Sequence, residues 1–242
     1  MRKYFKNLET ETVINRKIGH AIKIDAEFYF LSSNIISQCS FIQQIIQQII
    51  YTSHGKEISA ARKALSEIPN PKSRVDFICD FQYKTKDITI DRVFNYARDI
   101  FKDIYELRNI LAHEIWSSSE DHVDAVLFST LAAESAFLTS NAKLIHDEDA
   151  RSKEIFDSII RFIRSLKIIT LNDMHEATKD MVLCIWALSN IRNILDVEKE
   201  EEKAAAREAF FVFSGTSHLF PDIKPRSNTA EFLAKKEKTI RK

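Results

Sequence analysis

The segment from Thr89 to Trp116 reads TIDRVFNYARDIFKDIYELRNILAHEIW, and its apolar residues recur at helical spacing. Successive members of one apolar stripe lie four, three, four, three and four residues apart: Val93, Ala97, Ile100, Ile104, Leu107 and Leu111. This alternation places them on one face of an α-helix. We predict a long helix that Thr89 or Asp91 caps and that ends around Trp116, where Ser117–Ser119 indicate a loop.

The same spacing predicts further helices along the chain. They cover about 23–52, a short segment at Ile58–Ile68, another short one at about 72–83, and the segments Ile155–Leu166 and Met174–Leu195. The helix from Ile58 ends at Asn70-Pro71, because proline disfavours the helical conformation in the residue before it. Thr170-Leu171-Asn172-Asp173 is typical of a helix cap.

Residues 121–145 fit two structures. The run Val123–Phe128 is compatible with a short strand or with the start of a helix. Ala132, Ala133 and Ala136 follow this run. Alanine is the strongest helix former, so we predict that the helix begins in this segment.

Glycine and proline are scarce, which excludes several fold classes. The 242 residues contain three Gly and four Pro, where average usage gives about 17 and about 12. A hairpin-rich sandwich or barrel needs far more glycine for its turns, and neither a Rossmann nor a P-loop glycine motif is present. We therefore predict an all-α fold, a bundle of about six to eight helices.

The predicted domain organisation is a single helical domain followed by a tail. The domain covers residues 1–213, with the further helices at about 121–197. Residues 214–242 contain Gly215, Pro221 and Pro225 and end in a strongly charged run. We expect this tail to be extended or poorly ordered, or to contact a partner.

The charge and the cysteine content limit which partners the protein can bind and in which cellular compartment it is expected. Lys+Arg and Asp+Glu both number 35, so any nucleic-acid binding must come from a local patch. No uncharged apolar run of about 18 residues is present, so we expect no membrane segment. Cys39, Cys79 and Cys184 lie in apolar helical patterns and are predicted to be buried thiols of a cytoplasmic protein. No Cys-x-x-Cys or His-x-x-x-His pair occurs, so we predict no metal and no cofactor.

The polar residues near the end of the long helix are the strongest functional signal. At 100° per residue, Arg108 lies on the flank of the apolar stripe. His113 lies about 140° away and about 7.5 Å further along the helix, in line with Asn109 and Glu106. We therefore expect an outward-facing strip of Glu106, Asn109 and His113 flanked by Arg108, with Asn109 and His113 in contact. One subunit does not enclose such a strip, so we expect a second copy to cover it.

Arg108-Asn109-Ile110-Leu111-Ala112-His113 resembles the signature motif of the HEPN superfamily. In that signature, four to six residues separate an arginine from a histidine, and Asn or Asp often follows the arginine. The likeness of the motif covers about ten residues, and a looser likeness of helical organisation covers about 20–120. The resemblance implies a HEPN-like helical core. Active members of the superfamily are typically dimers whose paired motifs form one cleft, and they cleave RNA without a metal.

The resemblance also implies a role for each residue of the motif. His113 would be the general acid and base of a reaction in which the ribose 2′-hydroxyl is the nucleophile. Arg108 would hold the scissile phosphate, and Asn109 would orient His113 or contact the phosphate. Lys102 and Glu106 are weaker candidates for substrate contacts. The family further implies a toxin or antiphage-defence role, with an antitoxin or regulatory protein as partner.

Other interpretations of these residues stay open at this stage. Arg108 fits an ion pair with a neighbouring helix, His113 fits a plain surface position, and Glu106 and Asp103 fit a solvated helix face. Glu106 and Glu114 also oppose RNA binding by their charge. The alternative to a ribonuclease is therefore a non-catalytic binding or scaffold module of the same fold. A third candidate is an immunity-type protein whose tail inhibits a partner.

Overall fold

The computed structural model describes residues 4–8, 16–18, 24–53, 57–67, 88–144 and 151–196. Six helices occupy these residues: α1 (Ala26–Ser53), α2 (Ile58–Ser66), α3 (Ile88–His113), α4 (Leu131–Leu144), α5 (Arg151–Ser165) and α6 (Leu171–Asp196). They confirm that the part of the chain that the structure describes is mainly helical. The predicted short helix at 72–83, Cys79 and the tail 214–242 lie outside the described residues.

Five short strands form one antiparallel sheet, so the chain is not purely α-helical. They are β1 (Lys6–Asn7), β2 (Arg16–Ile18), β3 (Ile115–Ser119), β4 (Ala125–Ser129) and β5 (Lys167–Thr170), in the order β1-β5-β4-β3-β2. Two predictions were wrong here. Ser117–Ser119 belongs to a strand instead of a loop, and the helix does not begin at 123–128, because β4 occupies that run.

Pairing between distant segments explains both errors. Trp116 in β3 pairs with Phe128 in β4, and Val126 in β4 pairs with Ile169 in β5. Ser117 is fully buried, and its hydroxyl donates to the Leu127 carbonyl across the strands at 3.2 Å. Burial and cross-strand contacts therefore override the local preference of serine for loops.

The long helices bury the predicted stripes. Along α3, five of the six stripe residues are buried and Ile100 is half-buried. Cys39 on α1 and Cys184 on α6 are buried thiols that form no disulfide with each other, and their burial was predicted. No helix among the described residues is long and apolar enough to cross a membrane.

Two compact units share the described residues. The first takes its residues from Met1–Cys39 and Lys102–Met181, and the second from Ser40–Phe101 and Val182–Lys242. The first unit contains the sheet, the end of α3 and an apolar cluster of Leu8, Leu127, Phe162, Ile163 and Leu166. The functional candidates identified in the sequence therefore belong to the first unit.

Candidate functional site

The junction between α3 and β3 fixes the position of the candidate motif. Helix α3 ends at His113, and β3 begins two residues later at Ile115. The indole of Trp116 donates to the Leu111 carbonyl at 3.1 Å, which satisfies a carbonyl of the last helical turn. The Trp116 ring stacks on Tyr29 at 5.6 Å and meets Phe128 edge-on at 5.2 Å between centroids. Aromatic packing thus locks the end of α3 onto the sheet.

One guanidinium nitrogen connects the three residues of the motif. Arg108 Nη1 lies 3.1 Å from Asn109 Oδ1 and 3.1 Å from His113 Nε2. A guanidinium only donates hydrogen bonds, so Nε2 is the acceptor in the second contact. This contact requires the tautomer of His113 in which Nε2 carries no hydrogen.

The contacts differ in one respect from those expected on an ideal helix. Asn109 and His113 are joined through Arg108 instead of touching each other directly. The arginine side chain is long enough to span the angle between its own position and that of His113. Its guanidinium also lies 6.0 Å from the centroid of the Tyr105 ring. Within the described residues no carboxylate pairs with Arg108, so the expected alternative of an interhelical ion pair is not found there.

The polar strip on α3 is partly accessible to solvent. Glu106 and His113 are exposed, whereas Arg108, Asn109 and Lys102 are half-buried. Asp103, which was expected to be solvated, is only 6% exposed. Its position four residues before Leu107 places it beside the buried stripe, which explains that error.

The negative charge of Glu114, the residue after His113, is compensated by a lysine of the same chain. Its carboxylate forms an ion pair with Lys167 of β5, and the two side chains are 11% and 25% exposed. Lys167 Nζ also lies 5.5 Å from the centroid of the Phe5 ring. The repulsion that Glu114 would exert on RNA is therefore largely neutralised. No local pattern in the sequence indicated Lys167, which is 53 residues away.

The arrangement offers acid–base and phosphate-binding groups without metal ligands. Among the described residues, no group of three or more His, Cys, Asp or Glu side chains is placed to hold a metal ion. An imidazole nitrogen and a guanidinium at 3.1 Å can instead act on one phosphodiester. Comparison with protein-family models, with curated proteins and with solved structures gives no match.

Proposed function

We propose that this chain is a HEPN-like, metal-independent endoribonuclease. The observation that carries the proposal is the placement of Arg108 Nη1 within 3.1 Å of both Asn109 Oδ1 and His113 Nε2. An imidazole nitrogen and a permanently charged donor for phosphate oxygens lie side by side on one helix end. Transfer of a phosphoryl group within RNA requires these two functions.

In the proposed reaction the RNA phosphate replaces His113 and Asn109 as partner of the guanidinium. Arg108 then donates to the non-bridging oxygens and stabilises their developing charge. His113 Nε2, released from Arg108, accepts the proton of the ribose 2′-hydroxyl as that oxygen attacks phosphorus. The bond from phosphorus to the 5′-oxygen breaks, and this oxygen takes a proton from an acid in the cleft. The products are a 2′,3′-cyclic phosphate and a 5′-hydroxyl end.

A second copy of the chain is part of the proposal. His113 is exposed at the end of α3, so one subunit leaves the reacting atoms in contact with water. A two-fold axis beside His113 would bring two motifs together and cover both. The leaving oxygen would then take its proton from water in the covered cleft, and His113 would return its proton to the hydroxide that forms. In keeping with the resemblance, we place this activity in a toxin or defence role under the control of a regulatory protein.

The test is an RNA cleavage assay in EDTA. Wild-type protein should cut single-stranded RNA and leave a cyclic phosphate, and His113→Ala should lose at least about 100-fold of the rate. His122→Ala is the matched control, because His122 lies in the turn between β3 and β4, and it should cleave like the wild type.

Two results would contradict the proposal. One is equal cleavage by wild type and His113→Ala. The other is a folded wild-type dimer that leaves RNA intact, which would favour the non-catalytic scaffold module. A strict requirement for a divalent metal would indicate a different chemistry.

A further inference from the structure

We infer that Tyr29, whose ring stacks on Trp116 at the end of α3, binds an unpaired base of the RNA strand next to the motif. The inference rests on the proposed ribonuclease function and assigns a substrate-binding residue to it. Tyr29 lies in the first turn of α1 and belongs, with Trp116 and His113, to the first compact unit. The observations that carry the inference are its exposed ring and the packing beneath that ring.

Trp116 gives the Tyr29 ring a rigid support. Its indole donates to the Leu111 carbonyl at 3.1 Å. Its ring also meets Phe28 edge-on at 5.7 Å and Phe128 edge-on at 5.2 Å between centroids, and both phenylalanines are buried. These three contacts fix the plane of the indole, so a ring that stacks on it is held in one orientation.

The Tyr29 ring lies on this support and is open to solvent on its other side. The centroids of the Tyr29 and Trp116 rings are 5.6 Å apart, and their planes differ by 15°. One face of Tyr29 is thus occupied by Trp116, yet the residue is 49% exposed. The exposed area therefore includes the opposite face of the ring. The next residue, Phe30, is 70% exposed, so the aromatic surface continues along α1.

The stacked pair lies close to the motif. Trp116 follows His113 by three residues, so their Cα atoms are at most about 11 Å apart. The Leu111 carbonyl that binds the indole belongs to the same last turn of α3 as His113. An RNA strand with one phosphate on Arg108 therefore reaches Tyr29 within a few nucleotides.

A nucleobase is the occupant that best fits an exposed aromatic face beside an RNA-cleaving motif. Every base has a flat π-face that can stack on an aromatic ring, whatever hydrogen-bonding groups its edge presents. A base within a duplex is already stacked on its neighbours, so only an unpaired base can lie on Tyr29. Tyrosine also has few rotatable bonds, so its ring loses little conformational entropy on binding. We therefore expect Tyr29 to contribute to the binding of single strands and not of duplexes.

The experiment measures binding in the absence of cleavage. His113→Ala protein is titrated with a short oligoadenylate, either as a single strand or paired with the complementary oligouridylate. The added substitution Tyr29→Leu should lower the affinity for the single strand about tenfold, a loss of the size expected for one stacked base. It should leave the affinity for the duplex unchanged. Leucine keeps an apolar contact with Trp116 but offers no flat face.

Two control substitutions in the same His113→Ala protein separate stacking from other effects. Tyr29→Phe retains the ring and should bind the single strand like the parent protein. Phe41→Leu replaces another aromatic residue of α1, 44% exposed and assigned to the second unit, and should also bind like the parent protein. A fluorescent adenine analogue in the strand tests the stacking without any substitution at Tyr29, because its emission should be quenched when it stacks on the ring.

Several results would overturn the inference. These are unchanged single-strand affinity in Tyr29→Leu, an equal loss of affinity for the duplex, and a complex in which the adenine analogue is not quenched. An equal loss in Tyr29→Phe would also overturn it, since the hydroxyl would then be responsible. Cleavage of RNA by the wild type decides the proposed function separately, because Tyr29-dependent binding without cleavage would contradict the ribonuclease and not the stacking surface.

Discussion

A single guanidinium donates to two different side chains at the end of α3. Arg108 contacts Asn109 and His113 through Nη1. The other N–H donors of the guanidinium lie in the same plane, so their directions are fixed relative to Nη1. Lysine has the charge of arginine but only one nitrogen on a flexible stem. Substitution of Arg108 by lysine therefore tests the geometry of the guanidinium separately from its charge.

We predict that Arg108→Lys keeps the fold and loses most of the cleavage activity. The rate should fall about 100-fold, as when one positioned donor is removed from a transition-state site. Single-turnover cleavage and a thermal unfolding curve measure the two effects. Arg161→Lys, at an exposed arginine of α5, is the control and should be fully active. Near-normal activity of Arg108→Lys would show that charge alone suffices.

The Glu114–Lys167 pair gives a second prediction at this scale. Lys167→Ala should reduce the free energy of unfolding by about 2 kcal/mol, because it leaves a largely buried carboxylate without its counter-ion. The figure lies below that of a fully buried pair, since a quarter of the Lys167 side chain is exposed. Urea unfolding of the double variant Glu114→Gln/Lys167→Met should recover more than half of the loss. If single and double variants were equally unstable, the loss would come from packing instead of charge.

The cap at the start of α6 lies where the sequence predicts it. The Thr170 hydroxyl accepts from the Asp173 amide at 3.1 Å, and the Asp173 carboxylate accepts from the Thr170 amide at 2.9 Å. This reciprocal arrangement satisfies two amide donors at the start of the helix. It also places the helix start directly after β5, so the cap fixes the junction between strand and helix.

Removing this cap should destabilise the protein modestly. We predict that Thr170→Ala lowers the free energy of unfolding by about 1 kcal/mol and the melting temperature by about 2–4 °C for a chain of this size. Thr170→Ser retains the hydroxyl and should melt close to the wild type in the same calorimetric scan. A loss of the same size in both variants would mean that the threonine methyl, and not the cap, is responsible.

The long helices could be predicted from the sequence, whereas most of the sheet could not, although the run at 123–128 was compatible with a strand. Stripes such as Val93 to Leu111, and the cap at Thr170, depend on residues three or four positions apart, and the sequence displays that spacing directly. Ser117 is in a strand because Leu127 and Ile18 lie beside it, and no local pattern contains that information. The same reasoning applies to the site: Arg108, Asn109 and His113 lie within one helix end, but Lys167 reaches Glu114 only through the fold.

In the whole molecule, the proposed dimer would allow Arg108 and His113 to act either within one chain or across the two chains. The structure joins Arg108 and His113 within one chain at 3.1 Å. In a two-fold cleft, the same two residues could instead act across the axis. An experiment with mixed subunits distinguishes these arrangements.

We predict that mixing Arg108→Ala protein with His113→Ala protein does not restore cleavage. Every mixed dimer then lacks an intact pair within one chain, so the rate should stay near that of the separate variants. Co-refolded subunits and the EDTA cleavage assay provide the measurement, and wild type mixed with His113→Ala controls for subunit exchange. Random pairing makes half of the dimers mixed, with one of two sites complete across the axis, so recovery approaching a quarter of the wild-type rate would place the working pair across the two chains.

The order of the strands also bears on synthesis of the chain by the ribosome. Among the five described strands, β5 is translated last, yet it lies between β1 and β4 in the sheet. Until Lys167 has left the exit tunnel, β1 lacks its sheet neighbour and Glu114 lacks its counter-ion. A message truncated before this codon would therefore yield a polypeptide with the complete Arg108–His113 motif but an unsupported site. The Arg108–His113 motif therefore gains its support from the sheet and from Lys167 only after β5 has been synthesised.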